Sequence, residues 1–227
     1  ALSGRNKLTL LLSPQLRAFS VWVEQLVAES TGKSGIGIIP VIDEALPIGA
    51  YGADRFFVAV TLAGDHTLDE ILQALKGAGH EIDHHQLDDR YDLVGEFFRW
   101  EFAVAVAAVL LAVNPFDEPD VVSSKQATRR LLEGKKEEQA ISIGEIRDDA
   151  GHTLRMPFAL VDEDVGLIGQ LVQFFQNAGP SNYLTLMPFL HMTDGVQTAL
   201  LELVVALRAV LPLPVILNPG PRYLHST

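Results

Sequence analysis

Leu8-Thr9-Leu10-Leu11-Leu12-Ser13-Pro14 sets a short, nearly continuous apolar run directly against a helix start, with serine at the cap position and proline at the first helical one. That is a strand followed by a helix. Leu16, Phe19, Trp22, Val23, Leu26 and Val27 recur behind it at helical spacing and mark the buried face. The helix should end at Glu29-Ser30-Thr31-Gly32-Lys33, where Gly32 suits a left-handed C-terminal position. Gly35 and Gly37 then loosen the backbone before a second strand, Ile38–Ile42, with Asp43 and Glu44 just beyond it.

The same alternation continues downstream. Arg55–Leu62 is rich in β-formers, Thr67–Ala78 is an amphipathic helix closed by Gly79, and His80–Leu87 alternates like an edge strand. A long helix over Asp92–Val113 follows, polar in its first half and apolar all round in its second, as a buried helix would be. This rhythm predicts an α/β fold, a doubly wound, mostly parallel sheet covered by helices.

Behind the long helix stands Asn114-Pro115-Phe116-Asp117-Glu118-Pro119-Asp120-Val121-Val122-Ser123-Ser124-Lys125. The two prolines bracket a turn that stops one helix, and a new one should begin near Asp120. Lys125 falls one to two turns into it, where the dipole's positive end disfavours the ammonium form of a desolvated lysine. A solvated lysine behind an ordinary turn fits the same spacing.

The new helix runs to Gly134, and the charge run Lys135-Lys136-Glu137-Glu138 marks a boundary between residues 1–134 and an α/β extension over 139–227. The extension reads as a hairpin (Ile141–Arg147 and Thr153–Phe158), a helix over Asp164–Gln176, a strand over Tyr183–Leu190, a helix over Val196–Leu211 and a strand over Val215–Leu217.

With 227 residues and 48% hydrophobic content the chain can bury a substantial core. A formal charge of -12 argues against a nucleic-acid or anionic-membrane surface. The absence of cysteine excludes disulfides and thiolate chemistry, and fits a cytoplasmic location. The apolar run Phe102–Val113 is too short to span a bilayer. Gly35-Ile36-Gly37 is too short for a dinucleotide fingerprint, no serine stands in a nucleophile elbow, and neighbouring His84 and His85 point to opposite faces of a strand, which argues against a metal site. No cofactor is expected.

Several segments together resemble one family. Gly4-Arg5-Asn6-Lys7-Leu8-Thr9, Glu29-Ser30-Thr31-Gly32-Lys33, Glu96-Phe97-Phe98-Arg99-Trp100-Glu101-Phe102, Asn114-Pro115-Phe116-Asp117 leading to Lys125, and the tail Gly220-Pro221-Arg222-Tyr223-Leu224-His225-Ser226-Thr227 are similar to phosphoglucose isomerases. The resemblance is closest to the isomerase part of bifunctional transaldolase/phosphoglucose isomerase proteins. It implies a sugar isomerase (SIS) domain acting on a phosphosugar, the second of two such domains. The first would lie upstream, together with a transaldolase domain in the bifunctional arrangement, and the protein would be a homodimer.

The implied reaction interconverts glucose 6-phosphate and fructose 6-phosphate, a step of glycolysis and gluconeogenesis, through an enediolate. It needs a group that opens the ring, a carboxylate that moves a proton between C2 and C1, and positive charge for the intermediate. The resemblance implies Lys125 for ring opening, Glu44 for the carboxylate and His225 for the histidine. Substrate contacts would come from Glu29, Ser30, Thr31 and Lys33. The alternative is a non-catalytic phosphosugar-binding SIS module, because a fold does not dictate an activity.

Overall fold

Leu8, Thr9, Leu10 and Leu11 are all buried because strand β1 (Lys7–Leu12) lies in the middle of a sheet covered on both faces. The computed structural model describes residues 4–42, 44, 46–134, 143–157, 164–179, 181–211 and 213–220. Helix α1 (Arg17–Thr31) leads to β2 (Ile39–Val41), β3 (Arg55–Leu62), α2 (Asp69–Gly77), β4 (Ile82–Leu87) and α3 (Leu93–Leu111). The strand order is β2-β1-β3-β4 and every pairing is parallel, with Lys7 opposite both Ile39 and Arg55 and Phe57 opposite Ile82. The doubly wound parallel sheet expected from the sequence is present.

Two apolar layers hold it. Leu8, Leu10, Val58 and Val60 on one face pack with Phe19, Val23 and Val27 of α1 and with Trp100 and Val104 of α3. On the other face Leu11, Phe57 and Ala59 pack with Tyr51 and with Leu72 and Leu75 of α2. Each large side chain withdrawn in this way contributes roughly 1.5–3 kcal/mol before chain entropy is counted.

Several local expectations need correction. Ser13 precedes a single 3-10 turn, Pro14–Leu16, and does not cap it through its side chain; its Oγ instead accepts the Leu62 amide at 3.0 Å and ties the ends of β1 and β3. Gly32 is not left-handed (φ -77); the positive φ values fall on Ser34 and Gly35, which turn the chain so that Lys33 and Ile36 pair. Glycine at 32 is required by space, since a Cβ there would lie 2.7 Å from the Ala28 carbonyl oxygen. Helix α3 ends at Leu111 with Ala112 left-handed, before either proline acts. It buries Trp100, Val104, Ala108 and Leu111 but leaves Phe98, Phe102, Val109 and Leu110 exposed, so it is not buried all round. Among the described residues no helix is long and apolar enough to cross a membrane.

The chain divides into two compact units, one holding the described residues up to Glu118 and those from Tyr183 on, the other running from Pro119 to Asn182. The charge run 135–138, the boundary expected from the sequence, lies outside the described residues. The first unit adds β7 (Leu184–Leu186), α6 (Asp194–Val210) and β8 (Val215–Leu217), in which β7 and β8 form their own two-stranded parallel sheet. The second contains α4 (Pro119–Leu132), the antiparallel hairpin β5 (Ile143–Arg147) and β6 (Thr153–Pro157), and α5 (Leu167–Gln176).

Candidate functional site

Lys33 follows α1 directly, and its side chain is only 5% exposed. An ammonium group has three protons to donate, and a buried one must place all of them. Lys33 does so on the turn after α3: Nζ donates to the Asn114 carbonyl, to the Asp117 carbonyl at 2.6 Å and to Asp117 Oδ1 at 2.8 Å. Asn114 Oδ1 in turn accepts the Phe116 amide at 3.0 Å. Two segments separated by some eighty residues in sequence thus meet in space, and no proton of Lys33 is left for a ligand. This assigns Lys33 to positioning the turn from which α4 starts.

Thr31 is likewise committed. Its hydroxyl donates to the Val27 carbonyl at 2.8 Å and accepts the Ile38 amide at 3.0 Å, fastening the end of α1 to the approach of β2. Ser30 is half-buried, and Glu29 is exposed with Gln25 Nε2 at 3.4 Å from its Oε1. Lys125 is exposed on α4 in the second unit, not desolvated. His225 lies outside the described residues.

Glu44 does not stay at the rim of the sheet. The chain after β2 folds onto the α2 side, and the Glu44 carboxylate is buried with Oε2 2.7 Å from Arg55 Nη1. Arg55 Nη1 also donates to Thr9 Oγ1 at 2.8 Å, which puts the pair at the level of the middle of β1. The ion pair rests on proximity of charge alone, since neither Glu44 oxygen receives a well-directed hydrogen bond. The Arg55 guanidinium lies 5.5 Å from the centre of the Tyr51 ring, and the Tyr51 hydroxyl accepts the Leu46 amide at 3.2 Å and donates to the Glu44 carbonyl at 3.4 Å. Burial pushes the Tyr51 phenol above its ordinary range, with the Glu44 charge adding to the shift and the Leu46 amide and Arg55 opposing it.

The crevice where the strand order reverses lies toward the other end of the sheet, between the carboxyl ends of β1 and β3, the usual ligand position of such sheets. Ser13 and Asp65 stand there. The Ser13 hydroxyl beside Asp65, followed by the Thr67 amide, holds the carboxyl below the usual carboxylate range. A standing negative charge at this crevice works against a phosphate group, so a phosphate anchor has to come from other residues.

His84 and His85 do point to opposite faces, but they are not equivalent. His84 Nε2 lies 2.8 Å from Thr61 Oγ1, whereas His85 is largely buried between Asp83, 3.1 Å away, and Glu96, 3.0 Å away. Of the two, only His84 is exposed to solvent. Sequence reasoning also passed over Arg55 and Lys7, two cations buried in strands with Glu44 and Asp54 as partners. Their signal is a charge inside a strand covered on both faces, which has to find an opposite charge nearby.

The fold and these sites define a doubly wound α/β domain with ionisable groups on and beside its parallel sheet. No family model matches the chain. It is 27% identical over 177 residues to a curated protein of Methanococcus maripaludis named probable glucose-6-phosphate isomerase, a match covering 59% of this chain and 39% of the relative. The chain thus spans about two-fifths of the length of that relative.

Proposed function

We propose that this chain is part of a glucose-6-phosphate isomerase of the SIS-domain class, interconverting glucose 6-phosphate and fructose 6-phosphate. The observation that carries the proposal is the similarity to the Methanococcus maripaludis protein over 59% of the chain. The contact of Lys33 with Asp117 adds to it, because it joins the Glu29–Lys33 and Asn114–Asp117 segments and fixes the turn behind which Lys125 follows.

In this reading Lys125 donates a hydrogen bond to the ring oxygen as the sugar opens, with His225 as its partner in proton transfer. Glu44 then takes the proton from C2, whose electron pair enters an enediolate, and returns it to C1, while the former carbonyl oxygen O1 gains the proton that the O2 hydroxyl loses as C2 becomes the carbonyl. Arg55 beside Glu44 supplies positive charge near that base. Further chain, including a first SIS domain and in the bifunctional arrangement a transaldolase domain, would supply the phosphate anchor and the dimer contacts.

A coupled isomerase assay on the full-length protein tests this. Lys125→Ala should lower turnover by about 10²-fold or more with the fold intact, and undiminished turnover removes Lys125 from the site. Glu44→Gln should abolish solvent exchange of the C2 proton. A second reading, a phosphosugar-binding SIS module without turnover, is favoured by the commitment of Glu44 to Arg55 and the exposure of Lys125. Saturable binding of glucose 6-phosphate by a full-length protein that never turns it over would select it.

A further inference from the structure

At the opposite end of the sheet from the β1/β3 crevice, a cavity of about 320 Å³ opens between the amino ends of β1, β3 and β4 and the middle of α3. Phe56 and Trp100 bring two aromatic rings to its wall, and Val27, Val58 and Val104 add aliphatic surface. Ala103 and Ala107 keep it open where larger side chains would close it. Ionic side chains line it too, but each already has an opposite neighbour. Lys7 is paired with Asp54, Arg5 with Glu81 and Arg99 with Glu96, while Asp83 Oδ2 lies 3.1 Å from His85 Nε2. Asn6 adds a neutral amide. Asp83 is exposed at the rim, and its second carboxylate oxygen, Oδ1, accepts from no donor among the described residues.

An anionic head would face the Asp83 carboxylate, and an ammonium head the Arg5 and Arg99 guanidiniums, so a charge of either sign meets opposition. A sugar phosphate would in addition leave hydroxyls unpaired against ring and aliphatic carbon. A neutral aromatic molecule meets neither cost. Its ring suits Phe56 and Trp100, and a hydroxyl on it can donate to Asp83 Oδ1, because a carboxylate only accepts. The volume falls within the range of small-ligand sites. We propose that this cavity is a binding site for an uncharged phenol with a short alkyl substituent, its ring between α3 and the sheet and its hydroxyl on Asp83. The site is independent of the isomerase reading and lies on the other face of the sheet from Glu44 and Arg55.

Titration calorimetry on the full chain with four probes of one shape tests this. Para-propylphenol should bind saturably, one molecule per chain. Para-propylbenzoate and para-propylbenzylamine, its anionic and cationic counterparts, should each bind at least about tenfold more weakly, the effect of one uncompensated charge at a partly exposed site. Asp83→Ala should weaken para-propylphenol about five- to tenfold, the loss of one hydrogen bond to a charged acceptor. The same variant should leave para-propylanisole, which has no proton to donate, within about twofold of the parent. Ala107→Phe should remove binding of both neutral probes. No saturable heat with para-propylphenol, or binding that survives filling the cavity in folded Ala107→Phe, overturns the site. Should Ala107→Phe fail to fold, Asp83→Ala decides: unchanged affinity for para-propylphenol, or an equal loss for the phenol and the anisole, overturns the assignment. Binding of either charged probe as tight as the phenol overturns the neutral class.

Discussion

Lys33 Nζ and Asp117 Oδ1 are 2.8 Å apart, a buried ammonium against a half-exposed carboxylate, and the same nitrogen also holds the Asp117 carbonyl at 2.6 Å. The contact turns two short sequence signatures into one structural unit. It also commits Lys33, expected from the resemblance as a substrate contact, to the protein's own turn. Lys33→Met keeps the apolar stem but strands two carbonyls. It should lower stability by about 2 kcal/mol, below the usual loss for a fully buried pair because Asp117 can turn to water. Urea denaturation would register this, and Lys33→Arg should not restore it, since a planar guanidinium cannot reach three convergent acceptors. Lys125→Ala should change stability by less than about 0.5 kcal/mol, and a larger loss would contradict its exposed placement.

Glu44 and Arg55 invite a double-mutant cycle. Removing either partner leaves the other charge buried, so Glu44→Leu and Arg55→Met should each destabilise by about 3 kcal/mol. The double variant Glu44→Leu/Arg55→Met should lie closer to the parent than the sum of the two. Strict additivity in the denaturation midpoints would mean that the pair is not coupled as the 2.7 Å separation requires.

Tyr51 gives an alkaline signature. Its phenol is raised above the ordinary tyrosine value near 10, chiefly by burial. Between that value and the raised one, the unfolded chain has lost a proton that the folded chain still holds. Its contribution to stability is therefore complete below the unfolded pKa and is lost as pH rises through the folded one. The tyrosinate absorbance removed by Tyr51→Phe should belong to a group titrating above the ordinary range, and the variant's stability should fall less over that window. A group titrating in the ordinary range would show that Tyr51 is not buried against Phe57 and Arg55.

Much of the fold was legible because its periods are plain: the Leu8–Leu12 run, the Phe19 to Val27 stripe and the β-rich Arg55–Leu62 segment each match a single element. The site was less legible, for physical reasons. A loop's path is not written in a hydrophobic period, so nothing around Glu44 told that the chain folds back over the sheet toward Arg55. The resemblance picked out Lys33 without saying which way it points, and its three acceptors lie far along the chain. The apolar second half of α3 suggested burial on every side, whereas one face packs and the Phe98, Phe102 and Val109 face remains exposed in the structure. Composition reports that a helix can be buried, and only neighbouring elements determine which sides are.

Asp65 tests the crevice between β1 and β3 directly. The Ser13 hydroxyl accepts the Leu62 amide and so keeps its own proton for the Asp65 carboxylate, while the Thr67 amide reaches Oδ1 at 3.0 Å. These contacts stabilise the charged form, and the folded pKa lies below the ordinary one. The resulting contribution to stability is present above the unfolded carboxylate value, about 3.9, and is lost as pH falls through the lower folded value. Carboxyl-detected NMR should show Asp65 titrating below the usual range in the parent and moving up in Ser13→Ala. Thr67→Val should give a smaller upward move, because it keeps the amide and loses only the hydroxyl. An Asp65 that titrates in the ordinary range in the parent would leave the crevice without its standing negative charge, and with it the reason for seeking the phosphate anchor elsewhere.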